Sequence, residues 1–222
     1  MSGQPVRIAV ALPTGPSEVS GLWSLAPSAR ATIALAHGAG AGMEHPFLEG
    51  LADALVADGV SVLRFVFPYV EAGRRMPGPA AHAVATWRGV QAWLAVAAPG
   101  PWIAAGKSYG GRMASVACAE EVIAPAALVY LGYPLHPPGR PDKPRSEHLP
   151  AIAAPQLFVE GENDPFIHPR PQFDEVIESC QNARVHWVAD GNHSFEVKGA
   201  RRPAQEIGAG LAGAVGEFVR GV

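Results

Sequence analysis

The stretch Ala105-Gly106-Lys107-Ser108-Tyr109-Gly110-Gly111 sets a serine between two glycines at the spacing Gly-x-Ser-x-Gly. A serine held in a sharp turn between a strand and a helix can act as a nucleophile. The flanking positions must then let backbones approach closely, which Gly106 and Gly110 do because they lack a Cβ. The same turn would open a helix, whose positive end stabilises developing negative charge, and the Tyr109 amide is one candidate oxyanion donor. A hydroxyl is a weak nucleophile without a base to take its proton, and an imidazole base needs a carboxylate to orient it. On a strand-turn-helix scaffold the order is serine, then acid, then histidine, each after its own strand. Asp164 in Gly161-Glu162-Asn163-Asp164-Pro165 fits the acid, with Glu160 and Glu162 in reserve, and His193 in Asp190-Gly191-Asn192-His193-Ser194 fits the base. Asp190 is expected to shape that loop. The remaining histidines, His45, His82, His136, His148, His168 and His186, lack the post-strand context.

A second glycine run, His37-Gly38-Ala39-Gly40-Ala41-Gly42, follows the apolar segment Ala31–Ala36. Small residues there let a backbone N–H reach a substrate, so Ala39 or Gly40 would supply the second oxyanion donor, while His37 is expected to order the loop. Two phosphate-binding alternatives fail on spacing. A Walker A loop ending at Gly106-Lys107-Ser108 needs glycine where Pro101 stands, and a dinucleotide fingerprint in the second run needs glycine where Met43 or His45 stands. No cofactor and no metal ion are implied.

These residues need rigid elements to hold them. Short apolar runs at Val6–Leu12, Ala31–Ala36, Val60–Phe67, Trp102–Ala105, Ala127–Leu131, Gln156–Glu160 and Arg184–Val188 read as strands. Helical patterns occupy Pro46–Asp58, Ala80–Ala97, Gly110–Val122, Pro171–Cys180 and Pro203–Val219. The alternation predicts an α/β fold, a mostly parallel sheet wrapped by helices on both faces, with no large cap domain. The proline-rich stretch Tyr133–Pro150 breaks the rhythm and is expected to be a loop near the site, too short to form a helical cap, leaving the pocket comparatively open.

The 222 residues suit one α/β domain, and charged residues at 17% against 48% hydrophobic suit a sheet buried on both faces. A formal charge of −3 gives no general attraction to nucleic acid or anionic membranes, and the N-terminal apolar run Ile8–Leu12 is too short for a signal or a span. A cytoplasmic protein acting on a small-molecule acyl substrate is expected, with its oligomeric state open. Cys118 and Cys180 lack metal or redox spacing and are expected to be reduced, buried thiols. Arg74, Arg75, Arg140, Lys143 and Arg145 fall on loops near the expected site, as candidate partners for an anionic acyl group or as solvated surface charge.

Taken together, His37-Gly38-Ala39-Gly40, Gly106-Lys107-Ser108-Tyr109-Gly110-Gly111, Gly132-Tyr133-Pro134-Leu135-His136-Pro137, Glu160-Gly161-Glu162-Asn163-Asp164 and Gly191-Asn192-His193-Ser194-Phe195 resemble the small, capless α/β-hydrolases related to dienelactone hydrolase. The chain is more similar still to a subgroup of α/β-family hydrolases that shares its domain with a testis-expressed protein and a subunit of a nuclear histone-acetylation complex. The resemblance implies the α/β-hydrolase fold and the triad Ser108, Asp164 and His193. It does not imply a substrate, since dienelactone hydrolases use a cysteine where this chain has Ser108. The chemistry implied is ester-type hydrolysis by a serine esterase. An acyltransferase, or a non-catalytic interaction module keeping the hydrolase fold, are the alternatives.

Overall fold

The computed structural model describes residues 3–222; residues 1 and 2, the start of the N-terminal stretch read above, lie outside the described residues. The chain runs β1 (Gln4–Leu12), β2 (Gly15–Ser24), β3 (Ala31–Ala36), α1 (Pro46–Ala57), β4 (Val60–Phe65), α2 (Pro68–Glu71), α3 (Ala80–Ala97), β5 (Trp102–Lys107) and α4 (Tyr109–Ala119). It continues through β6 (Ala127–Leu131), β7 (Gln156–Gly161), α5 (Arg170–Ser179), β8 (Ala183–Val188), α6 (Ala204–Gly210) and α7 (Ala212–Arg220).

The described strands form one eight-stranded sheet in the order β1-β2-β4-β3-β5-β6-β7-β8. From β4 to β8 neighbours run parallel, whereas β1 pairs antiparallel with β2 and β2 with β4. The central strands are buried almost throughout because both faces are covered, which is why they read as continuous apolar runs. Alternate residues feed two separate cores. Ala34 and Ala36 of β3 join Trp87, Met113 and Tyr133 on one face, while Ile33 and Leu35 join Phe47, Leu51 and Ile207 on the other.

Strand β2 is absent from the sequence reading. Its sequence Gly-Pro-Ser-Glu-Val-Ser-Gly-Leu-Trp-Ser is poor in β-formers, and only the antiparallel pairing with β1 and β4 makes it a strand. The last predicted helix is broken. Leu211 separates α6 from α7 in a glycine-rich stretch, and α6 lies backbone to backbone on α1, where a Cβ on Gly208 would overlap the Phe47 carbonyl and one on Gly50 that of Gln205. Strand β4 stops at Phe65 because Pro68 opens α2, an element also missing from the sequence reading. Cys118 and Cys180 are free but only half-buried, a correction to the expected full burial. Among the described residues no helix is long and apolar enough to cross a membrane.

The topology decides where a site can form. From β3 the chain crosses to β4 on one side, and from β4 it returns to β5 on the other, so the carboxyl ends of β3 and β5 diverge at a switch point. Ala36 pairs with Gly106, which brings the loops after both strands to the same level.

Candidate active site

Ser108 occupies a left-handed backbone conformation, φ 48° and ψ −113°, that a residue with a Cβ rarely adopts. The turn survives because its neighbours have no side chains. A Cβ on Gly110 would stand 2.5 Å from the His37 carbonyl oxygen, and one on Gly106 would run into the backbone of Gly110 and Gly111. The Ser108 N–H donates to the Leu131 carbonyl at 3.0 Å and its own carbonyl accepts from Arg112 N–H at 3.0 Å, so the residue is tied to β6 and to α4.

The three expected residues meet. Ser108 Oγ lies 2.9 Å from His193 Nε2, and His193 Nδ1 lies 2.6 Å from Asp164 Oδ2. An ionised Asp164 can only accept, so Nδ1 carries the proton and Nε2 is left to accept from the serine hydroxyl. Asp164 is fully buried, and its Oδ1 accepts the Phe166 N–H at 2.8 Å. The His193 side chain is 21% exposed and its ring stacks on Phe166, with centroids 4.1 Å apart. Burial pushes the imidazole below its ordinary 6.5; the Asp164 hydrogen bond works against this and the nearby Lys107 charge with it.

The reserve acids are committed elsewhere. Glu160 is buried beneath the site and accepts the Tyr133 N–H at 2.6 Å, whereas the Glu162 carboxylate accepts the Asp190 N–H at 3.2 Å on the surface. The histidine loop is held chiefly by Asn192, whose side-chain oxygen accepts the Ser194 and Glu196 N–H groups at 2.8 and 3.0 Å. Asp190, expected to shape this loop, sits at positive φ and accepts from Asn163 Nδ2 at 3.1 Å through its backbone carbonyl.

His37 is fully buried and bridges two strand ends. Nε2 accepts the Phe67 N–H at 3.1 Å, which makes Nδ1 the donor to the Gly38 carbonyl at 2.8 Å. Ala39 lines the cavity beside Ser108, while Gly40 does not and has open space around it at φ +75°. Tyr109 is the first residue of α4, so its N–H has no acceptor within the helix. A second serine–histidine contact, Ser115 Oγ to His148 Nε2 at 2.7 Å, lies off the cavity. The Ser115 hydroxyl is bound to the Arg112 carbonyl at 2.7 Å, so His148 is its donor and cannot act as its base.

Above Ser108 opens a cavity of about 740 Å³. Of the five loop cations singled out in the sequence, Arg145 alone reaches it; Arg74, Arg75, Arg140 and Lys143 are exposed, and Arg140 is paired with Asp142 at 3.0 Å. Among the wall residues that the sequence reading did not single out are Lys107, Phe166 and Arg112. Arg112 had a signal, since it falls four residues after Ser108 on the helix the motif opens, and so on the same face. The proline-rich stretch is irregular apart from one turn of 3-10 helix at Leu149–Ala151. Its N-terminal end is buried and its tip exposed, with Pro134 and Arg145 contributing to the cavity wall.

The fold is shared with many solved structures. A lidless α/β serine hydrolase of Xanthomonas campestris superposes with a TM-score of 0.72 at 21% identity, covering 99% of this chain and 95% of its own. A dienelactone hydrolase of Anabaena variabilis gives 0.72 at 23% identity, covering 96% and 97%. Est1E of Butyrivibrio proteoclasticus, solved with ferulic acid bound, gives 0.72 at 14%, covering 91% and 96%. The sequence profile of the alpha/beta hydrolase domain matches residues 29–215, and with the fold this places the chain in the α/β-hydrolase family.

Proposed function

We propose that the protein is a serine hydrolase that cleaves an ester-type bond, a carboxylic ester, thioester or lactone, of a small molecule through an acyl-enzyme on Ser108. The observation that carries this is the unbroken chain of hydrogen bonds, 2.9 Å then 2.6 Å, from Ser108 through His193 to Asp164 at the floor of an open cavity. Ser108 Oγ attacks the acyl carbon as its proton passes to His193 Nε2. Asp164 stabilises the imidazolium, and the oxyanion accepts from the Tyr109 N–H and from the Ala39 N–H, a choice supported by Ala39 lining the cavity where Gly40 does not. The intermediate collapses as His193 returns the proton to the departing alcohol or thiol. Water, deprotonated by the same imidazole, then attacks the acyl-enzyme and releases the acid and free Ser108.

Within the family we group the chain with the small capless enzymes related to dienelactone hydrolase, and more closely with the subgroup that includes a histone-acetylation-complex subunit. Labelling with a fluorophosphonate probe tests the catalytic reading. Wild-type protein should be modified at Ser108 and Ser108→Ala should not; a folded wild-type protein that stays unlabelled would favour the non-catalytic interaction module. Product analysis with competing alcohols and thiols separates hydrolysis from acyl transfer.

A further inference from the structure

Two arginines in the cavity wall have no carboxylate within ion-pair distance among the described residues. Arg112 stands on α4 one turn beyond Ser108, and Arg145 comes from the proline-rich loop. The loop is pinned at that residue: its N–H donates to the Leu135 carbonyl at 2.7 Å and its carbonyl accepts the Tyr133 hydroxyl at 2.8 Å. Arg7, Arg30, Arg64, Arg140, Arg170 and Arg220 all have carboxylates within ion-pair distance. Among the described residues neither Arg112 nor Arg145 has one, and Arg112 Nε is buried without any acceptor.

The Arg145 guanidinium feels the charge of Arg112. Burial and then the charge of Arg112 pull Arg145 below the ordinary guanidinium value. His148, pushed down to about 4 by burial and by Arg112, is neutral and adds no charge of its own. The carboxylate on the cavity wall, Glu196, is bound to Asn192 Nδ2 at 3.1 Å on the histidine loop. Holding two like charges together in a partly desolvated wall without a counterion is costly, and the cost is relieved when an anion enters. Arginine forks match the planar oxygens of a carboxylate and the oxygens of a phosphate. Phe47, Leu48 and Ile207, whose core lies across the sheet from that of α4, give the cavity an apolar wall as well.

We infer that Arg112 and Arg145 form an anion subsite, so that the substrate is an acyl ester carrying a carboxylate or phosphate group, bound between the two guanidinium groups while its carbonyl lies at Ser108. This inference rests on Ser108 being the nucleophile.

The test compares para-nitrophenyl hydrogen adipate with its neutral methyl ester, and with an acyl ester of matching length ending in phosphate. Wild-type kcat/KM should favour an anionic ester over the neutral one by about ten- to a hundredfold, as charge-assisted hydrogen bonds give, and the preference should shrink as salt is raised. The better of the two anionic esters identifies the group. Arg112→Met and Arg145→Met should each cut the anionic-to-neutral ratio about tenfold or more. Equal or poorer turnover of both anionic esters, in protein that cleaves the neutral ester, overturns the subsite and leaves the hydrolase intact. If Ser108 is unlabelled and no ester is cleaved, the hydrolase reading has failed instead. The subsite is then judged by calorimetry with adipate and inorganic phosphate on Ser108→Ala protein: binding of either that is lost in Arg112→Met supports it, and no binding of either overturns it.

Discussion

Lys107 donates from Nζ to the backbone carbonyl of His193 at 2.7 Å, joining the residue before Ser108 to the histidine hydrogen-bonded to the Ser108 hydroxyl. The contact spans β6, and Gly132 makes room for it: a Cβ there would lie 3.0 Å from Lys107 Nζ and 3.2 Å from the His193 oxygen. Burial pulls the ammonium down to about 8, with Asp164 and Glu160 opposing the shift. Lys107→Met should release the histidine loop. A charge-assisted hydrogen bond is worth roughly 1.5–3 kcal/mol, so kcat should fall about ten- to a hundredfold while KM changes little. Steady-state kinetics on an activated ester check this, and an unchanged kcat would reduce Lys107 to packing.

The same lysine bears on pH dependence. The proposed mechanism needs His193 neutral, and its folded value lies below 6.5, chiefly through burial. Activity should therefore rise with pH, with the midpoint of the acid limb of kcat/KM below pH 6.5 and full activity reached near neutrality. Because the Lys107 charge also lowers His193, Lys107→Met should move the limb to higher pH. A variant that is merely less stable would lose melting temperature without moving the limb. Rate profiles between pH 4.5 and 8, roughly two units either side of an ordinary histidine, distinguish the two.

How much of this was readable in the sequence depends on how local each signal is. That Ser108, Asp164 and His193 meet was legible because each follows an apolar strand and the chain order limits the choices. The choice of Asp164 over Glu160 and Glu162 was open at the level of residue types, and the structure separates them by where each carboxylate finds its N–H donors. Strand β2 and the break at Leu211 were hidden because they depend on partners: β2 on its pairing with β1 and β4, and α6 on its close approach to α1. Arg145 was one of five loop cations of equal standing until Tyr133 and Leu135 were seen to hold its backbone beside the cavity.

Glu160 supports the site from beneath. Its Oε1 takes the Tyr133 N–H at 2.6 Å at the start of the proline-rich loop, its Oε2 has no hydrogen-bond partner among the described residues, and burial raises its proton affinity well above that of an ordinary carboxylate. A glutamine amide has nearly the shape of the carboxyl group and keeps an acceptor oxygen for the Tyr133 N–H. Glu160→Gln should thus cost about 1 kcal/mol or less, the net worth of an ordinary hydrogen bond. Glu160→Ala strands a buried N–H and opens a cavity, and should cost about 3 kcal/mol or more. Urea denaturation of the two variants gives the comparison; equal losses would show that the hydrogen bond to Tyr133 contributes nothing.

The two glycine loops of the site use glycine for different reasons, and alanine substitutions should separate them. At Gly110 the obstacle is space. An added Cβ would meet the His37 oxygen at 2.5 Å and the Ala36 Cβ at 2.8 Å, so α4 must move off β3 and carry Ser108 with it. Overpacking of this kind costs about 1–3 kcal/mol, and a displacement near 1 Å at the nucleophile can cost about a hundredfold in rate. At Gly40 nothing lies within 4 Å of an added Cβ, and the obstacle is φ +75° alone. Left-handed strain there amounts to about 1–2 kcal/mol in an exposed loop that can relax. Gly110→Ala should therefore lose at least tenfold more activity than Gly40→Ala at comparable melting temperature, since only the first shift reaches Ser108, the proposed nucleophile. Equal activity losses would count against Ala39 and favour the Gly40 backbone as the proposed second oxyanion donor.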